Sequence, residues 1–290
     1  MSDETRPLPI RLEQGEIVYF PSCPFALPNP SELQFLLEQR VAGSTGKHIV
    51  YNPLTVQAFH ASCTDEVAAE RLACILAAHS RQATTWLSGL LKDYSKAWQI
   101  GSTTLRPEEE ATRRLRFSQR EDLLHIDPFP DGASHGRRFL RLFVNLNPAE
   151  PRVWATSDGL ARLLERFGDA VGLPTPEHSS WAWQVRQGML RLLDARQRGL
   201  SATDEFLLRF QASLKANDHF QERGPKRFWH FAPGSAWLVM TDSLSHAVLR
   251  GRHALEMSFF VDPATLVCPE LAPGRVIELY REQKENRRAA

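Results

Sequence analysis

Residues 125–127 read HID, inside the stretch REDLLHIDPFPDGASHGRRFLRLFVNLNP. Along an extended chain successive side chains alternate between faces, so His125 and Asp127 share one face while Ile126 takes the other. An imidazole and a carboxylate placed side by side can form a salt bridge, a catalytic pair or two-thirds of a metal site. A facial metal site needs a second histidine from a distant strand and leaves three coordination positions open. Of the ten histidines, His246 is best placed to supply it. It follows PGSAWLVMTDSLS, a strand and a turn, and opens a new short strand. His230 and His253 are its competitors, and His135 reads as an exposed residue of a Gly/Ser turn.

The segment after HID alternates as well. Leu140, Leu142, Val144 and Leu146 fall on one face, and Arg141, Phe143, Asn145 and Asn147 on the other. A half-exposed strand shows the same alternation. Here, though, the polar face carries one Arg and two Asn rather than the Lys, Glu and Thr of a solvated strand, a mixture suited to binding an anion in a cavity.

The elements that must position these residues follow from periodicity. The first fifty residues read as strand and turn: EIVYF, the proline-rich PSCPFALPNP, then HIVYNP. From Thr64 to about Gln99 apolar residues recur at helical spacing, as one long helix or two consecutive ones, with Thr64 and Asp65 as candidate caps. Strand character returns over 102–148 and at 153–156. Ser157–Asp158 then open a helix through Val171, and 179–197 and 203–221 read as further amphipathic helices. After Pro225 come four short strand-like pieces, FWHFAPG, SAWLVMTD, SHAVLRG and HALEMSFFVD. The reading is a single α+β domain over 1–290, mainly β in its core, with helices packed around it and a helical insertion at about 157–221.

Bulk composition excludes some classes. A net charge of +1 gives no global field for nucleic acid or an anionic membrane. Only six of the 35 basic residues are lysine, which fits codon bias or arginines that recognise carboxylates and phosphates. MSDETRPLPIRLEQGE lacks the basic and apolar regions of a signal peptide, and no apolar run approaches a membrane span. Four scattered cysteines without a CxxC pair read as reduced thiols, so a cytoplasmic location is expected.

TTLRP (103–107), LLHIDPFPDGASHGRRFLRLFVNLNP (123–148), PRVW (151–154), LKANDHFQ (214–221) and FAPGSAWLVMTDSLSHAVLRGRHALEMSFF (231–260) resemble the Kdo hydroxylases. These are Fe(II)- and 2-oxoglutarate-dependent dioxygenases acting on the 3-deoxy-manno-octulosonic acid sugar of lipopolysaccharide. The resemblance covers about nine-tenths of the chain and departs at Arg252 and Met257, where the family usually has Gln. It implies a double-stranded β-helix (jelly roll) with His125, Asp127 and His246 as iron ligands, using 2-oxoglutarate and O2 to hydroxylate Kdo at carbon 3, giving Ko. Arg106, Arg116, Arg120 and Lys215 are then candidates for binding an anionic sugar, and Trp154 for walling the pocket. Many such oxygenases anchor 2-oxoglutarate on a base about ten residues beyond the second histidine, but here that position is Glu256. Arg141 is the expected anchor instead, with Asn145 as helper and Arg250 in reserve. Kdo-lipid A as substrate would bring peripheral contact with the inner face of the inner membrane. A homo-oligomer is left open. The rival readings are a related oxygenase of another sugar acid and a non-catalytic sugar-binding jelly roll.

Overall fold

The computed structural model describes residues 5–41, 48–53, 55, 57–59, 66–110, 115–129, 134–172 and 200–289. In chain order its strands are β1 (Val18–Phe20), β2 (Ile49–Asn52), β3 (Gln57–Phe59), β4 (Gln99–Arg106), β5 (Arg138–Asn145), β6 (Arg152–Gly159), β7 (Arg227–Phe231), β8 (Ala236–Met240), β9 (Leu244–Arg250) and β10 (Ala254–Val261). Its helices are α1 (Leu8–Glu13), α2 (Pro30–Glu38), α3 (Glu66–Leu90), α4 (Leu160–Phe167), α5 (Ala202–Ala216), α6 (Asp218–Arg223) and α7 (Pro273–Ala289). A seven-stranded sheet, ordered β1-β8-β5-β10-β4-β2-β3, faces a three-stranded sheet, β7-β6-β9. All the pairings are antiparallel.

Period-two alternation along β5 sets the layers. Leu140, Leu142 and Val144 join Leu255, Met257 and Phe259 of β10 in a core with Leu12, Leu36 and the buried stripe of α3. Removing that apolar area from water, at roughly 25 cal/mol per Å², fixes which face the helices cover. The opposite face of β5 points between the sheets, where Phe143 packs with Trp154, Phe231 and Trp237. The outer face of the small sheet is closed by α4, α5, α6 and α7 through Leu163, Phe206, Phe210, Phe220 and Ile277.

Several boundaries differ from the sequence reading. The proline-rich connection ends in a helix, not a turn. Pro30 starts α2, and Asn29 and Glu32 form a capping box, so the proline sits at the position where its missing N–H costs nothing. Residues 66–90 are one helix. Ser157 and Asp158 belong to β6, and α4 starts after Gly159 and stops at Phe167. Segment 203–221 breaks at Asn217, whose side chain accepts from the Phe220 amide to begin α6. The expected helix 179–197 and the caps Thr64 and Asp65 lie outside the described residues. α7 was not expected at all.

His79 of α3 is buried, edge-on to Phe25, and its Nδ1 has no partner among the described residues. Burial pushes its imidazole down from 6.5 to about 4, so the unfolded chain takes up the proton first. Its share of stability is intact above pH 6.5 and is lost as pH falls from there towards 4. Urea unfolding at pH 7 and pH 5 should therefore show a smaller difference for His79→Leu than for the wild type, by roughly 2 kcal/mol. Equal differences would remove His79 as an acid-sensitive group.

Candidate metal centre

Two backbone hydrogen bonds tie His125 to His246: each amide donates to the other's carbonyl, at 3.1 and 2.9 Å. The bridge adds the HID segment to the free edge of β9. Two residues on, the Asp127 amide donates to the carbonyl of Thr241, just past β8, at 2.9 Å. The segment thus crosses from the small sheet to the large one. Ile126 turns outward into the helical layer, and His125, Asp127 and His246 meet inside. Arg138 holds the β8–β9 turn in place through a two-pronged contact to Asp242, at 2.9 and 3.0 Å.

All three residues are buried, and their ligating atoms lie within 4.8 Å of one another. His125 Nδ1 is 2.7 Å from the Leu123 carbonyl and His246 Nδ1 3.0 Å from that of Leu244. A carbonyl only accepts, so Nδ1 carries the proton and Nε2 is left with a bare lone pair. The two Nε2 atoms are 3.3 and 3.6 Å from the Asp127 carboxylate. Burial lowers the His246 imidazole to about 4 and keeps it neutral. Burial raises the Asp127 carboxyl, but the Arg141 guanidinium beside it pulls the other way and the group is held well below the usual carboxylate range. Two imidazole nitrogens and one carboxylate are the donor set of a facial iron site.

Beside this triad lies a buried charge network. Arg141 sits 2.8 Å from Asp127 Oδ2, though not aligned for a hydrogen bond, and 3.0 Å from Glu256. Glu256 also accepts from Arg106, which contacts Glu110 and Glu121. Burial raises the Glu256 carboxyl, yet Arg106 and Arg141 hold it low. Among the described residues His48, Glu110 and Glu121 also approach metal-site spacing, but the Arg106 guanidinium already supplies the cation there. Arg152 escaped the sequence reading. It is fully buried, gives one N–H to the Gly251 carbonyl at 2.9 Å, and leaves Nε and Nη2 without partners among the described residues. Burial and the nearby Arg106 push it down to about 10. Its signal was available: Arg152 stands two residues before Trp154, on the same face of β6. Trp154 is itself buried, with its indole stacked on His246 at 5.3 Å.

Other candidates are placed elsewhere. Asn145 spends its amide hydrogens on the Glu150 and Phe231 carbonyls and its oxygen on the Asn147 amide, so it braces the chain rather than offering a ligand contact. Lys215 is buried and donates to the Ser118 carbonyl at 2.9 Å. Arg120 pairs with Asp122, and Arg116 and Arg250 are exposed. None of these five lines the cavities that Asp127 and Arg141 open into.

The profile of the family described as 3-deoxy-D-manno-oct-2-ulosonic acid (Kdo) hydroxylase matches residues 2–284. The chain belongs to the Kdo hydroxylase family. Among solved structures it is similar to the Kdo hydroxylase KdoO, described as a non-heme Fe(II) alphaketoglutarate-dependent dioxygenase. The apo form is 27% identical with a TM-score of 0.80, and the cobalt(II) complex 28% identical with a TM-score of 0.81. A third, with alphaketoglutarate and Fe(III), is 27% identical with a TM-score of 0.79. Each comparison covers 92% of this chain and 86% of the other. No curated protein matches. The fold is that of a Kdo hydroxylase, a jelly-roll dioxygenase. The two departures from the family pattern lie off the site: Met257 is buried on the helix-covered face, and Arg252 pairs with Glu108 at the surface.

Asp127→Ala removes a donor without touching any of the three apolar clusters. It should weaken cobalt(II) binding by more than about 100-fold in calorimetry while the circular dichroism spectrum is kept. Wild-type cobalt affinity in that variant would move the metal elsewhere.

Proposed function

We propose that this Kdo hydroxylase binds Fe(II) through His125, Asp127 and His246 and hydroxylates the Kdo sugar of lipid A at carbon 3. The observation that carries the reading is the pairing of that donor set with buried guanidinium N–H groups lacking partners, on Arg141 and Arg152. A buried N–H is rarely left unpaired, and a carboxylate oxygen is the strongest partner for a guanidinium. The dicarboxylate 2-oxoglutarate fits that place. Fe(II) with 2-oxoglutarate and O2 supplies the oxidising power, the co-substrate leaving as succinate and CO2.

The chain's own residues bind and orient. Bonds from Nδ1 to the Leu123 and Leu244 carbonyls aim both imidazoles at one point. Arg141, fixed between Asp127 and Glu256, holds positive charge next to where a co-substrate carboxylate would lie. Arg106 and Arg152 extend that charge. Trp154 closes one side and keeps water from the His246 ring. Among the described residues no helix is long and apolar enough to cross a membrane, and contact with a lipid-linked substrate would be at the membrane surface.

Purified protein with Fe(II), 2-oxoglutarate and Kdo-lipid A should form succinate together with a sugar heavier by one oxygen atom, as read by mass spectrometry. Succinate without that product would point to a different sugar acid. Arg152→Met should raise the KM for 2-oxoglutarate about tenfold, equivalent to about 1.4 kcal/mol, and Arg141→Lys several-fold, because Lys keeps the charge but loses the fork. An unchanged KM in both would take the co-substrate away from these arginines.

A further inference from the structure

Asp127 lines a cavity of about 300 Å³ whose walls include neither Arg106 nor Glu256. Phe129 and Phe139 form its apolar wall, and the turn Ser134–Arg137 and the start of α5 form its polar one. The turn is closed by the Arg137 amide donating to Ser134 at 3.0 Å. Both central residues, His135 (φ 50) and Gly136 (φ 75), are left-handed. For His135 that conformation costs energy, so the surroundings must hold it. Asp204 does so: one carboxylate oxygen takes the Ser134 amide at 3.2 Å and the Ser201 amide and hydroxyl at 3.1 and 2.8 Å. Its other oxygen, Oδ1, is buried and has no hydrogen-bond partner among the described residues, and Asp204 lines the cavity. The Arg137 side chain lines the same cavity, half-buried, with no ion pair among the described residues.

We propose that this cavity holds the acid sugar itself, with the Arg137 guanidinium taking its carboxylate and Asp204 Oδ1 accepting one of its hydroxyls. The inference rests on the Kdo reading above and specifies its substrate side. In a 3-deoxy-2-ulosonic acid the carboxyl group is only two bonds from carbon 3. Whatever grips the carboxylate must therefore share a cavity with the metal ligands. The volume suits one monosaccharide, near the lower end of ligand pockets, and leaves the remainder of a lipid-linked substrate outside.

The test measures calorimetric binding of Kdo monosaccharide and of its methyl ester to the cobalt(II)-loaded full chain. Wild type should bind the acid at least fivefold more tightly than the ester. Arg137→Gln should bind the two alike, with cobalt(II) and 2-oxoglutarate affinities unchanged, and Arg137→Lys should restore part of the discrimination. Undiminished discrimination in Arg137→Gln, or a parallel loss of 2-oxoglutarate affinity, overturns the proposal. So does a loss seen only with Kdo-lipid A, which would assign Arg137 to a phosphate. Wild type that binds no Kdo in any form overturns the functional reading as well, whereas normal Kdo binding by the variant overturns this inference alone.

Discussion

The centre depends on the paired backbone bond between His125 and His246. Two amide–carbonyl contacts are individually modest, but they join residues more than a hundred positions apart and fix the side-chain register of both. A slip of one residue on either side would turn an imidazole outward into the helical layer, where Ile126 and Ala247 now pack. The Asp127–Thr241 bond does the same for the carboxylate against the other sheet. The three donors are therefore held by main chain, and the core on either side has only to keep the two sheets at their spacing.

Much of this was legible in the sequence because strands write their faces with period two. HID and the alternation of β5 follow that rule, whereas His246 stands out by its place after a strand and a turn, at the opening of a new short strand. Roles of single polar residues were harder to read. Asn145 occupies the inward face as the alternation requires, yet local carbonyls take both of its amide hydrogens. Lys215 and Ser118 meet across 97 positions, a contact no local pattern encodes. Arg152 is hidden because the run of strand-forming residues begins only at Val153, which leaves the first inward residue of β6 outside it. The helix at Pro30 was masked by counting prolines as breakers, although a proline after a capping Asn starts a helix.

Around the centre three guanidiniums, Arg106, Arg141 and Arg152, face four carboxylates, Asp127, Glu110, Glu121 and Glu256. Burying any one of these charges alone would be costly. Together they nearly cancel, and the small excess of negative charge favours a divalent cation at Asp127. Glu256, where a basic residue might have been expected, serves this balance: it lets Arg106 and Arg141 lie close together in a site from which water is largely removed.

Trp154 carries one more consequence. Its indole lies face to face with the His246 ring, tilted by only 21°, and shares a buried aromatic cluster with Phe143, Phe231 and Trp237. An excited indole is sensitive to the charge of a ring in contact with it and to any paramagnetic ion that ring ligates. If the centre takes up the ion proposed for it, Trp154 would report that loading in the emission of the unlabelled protein.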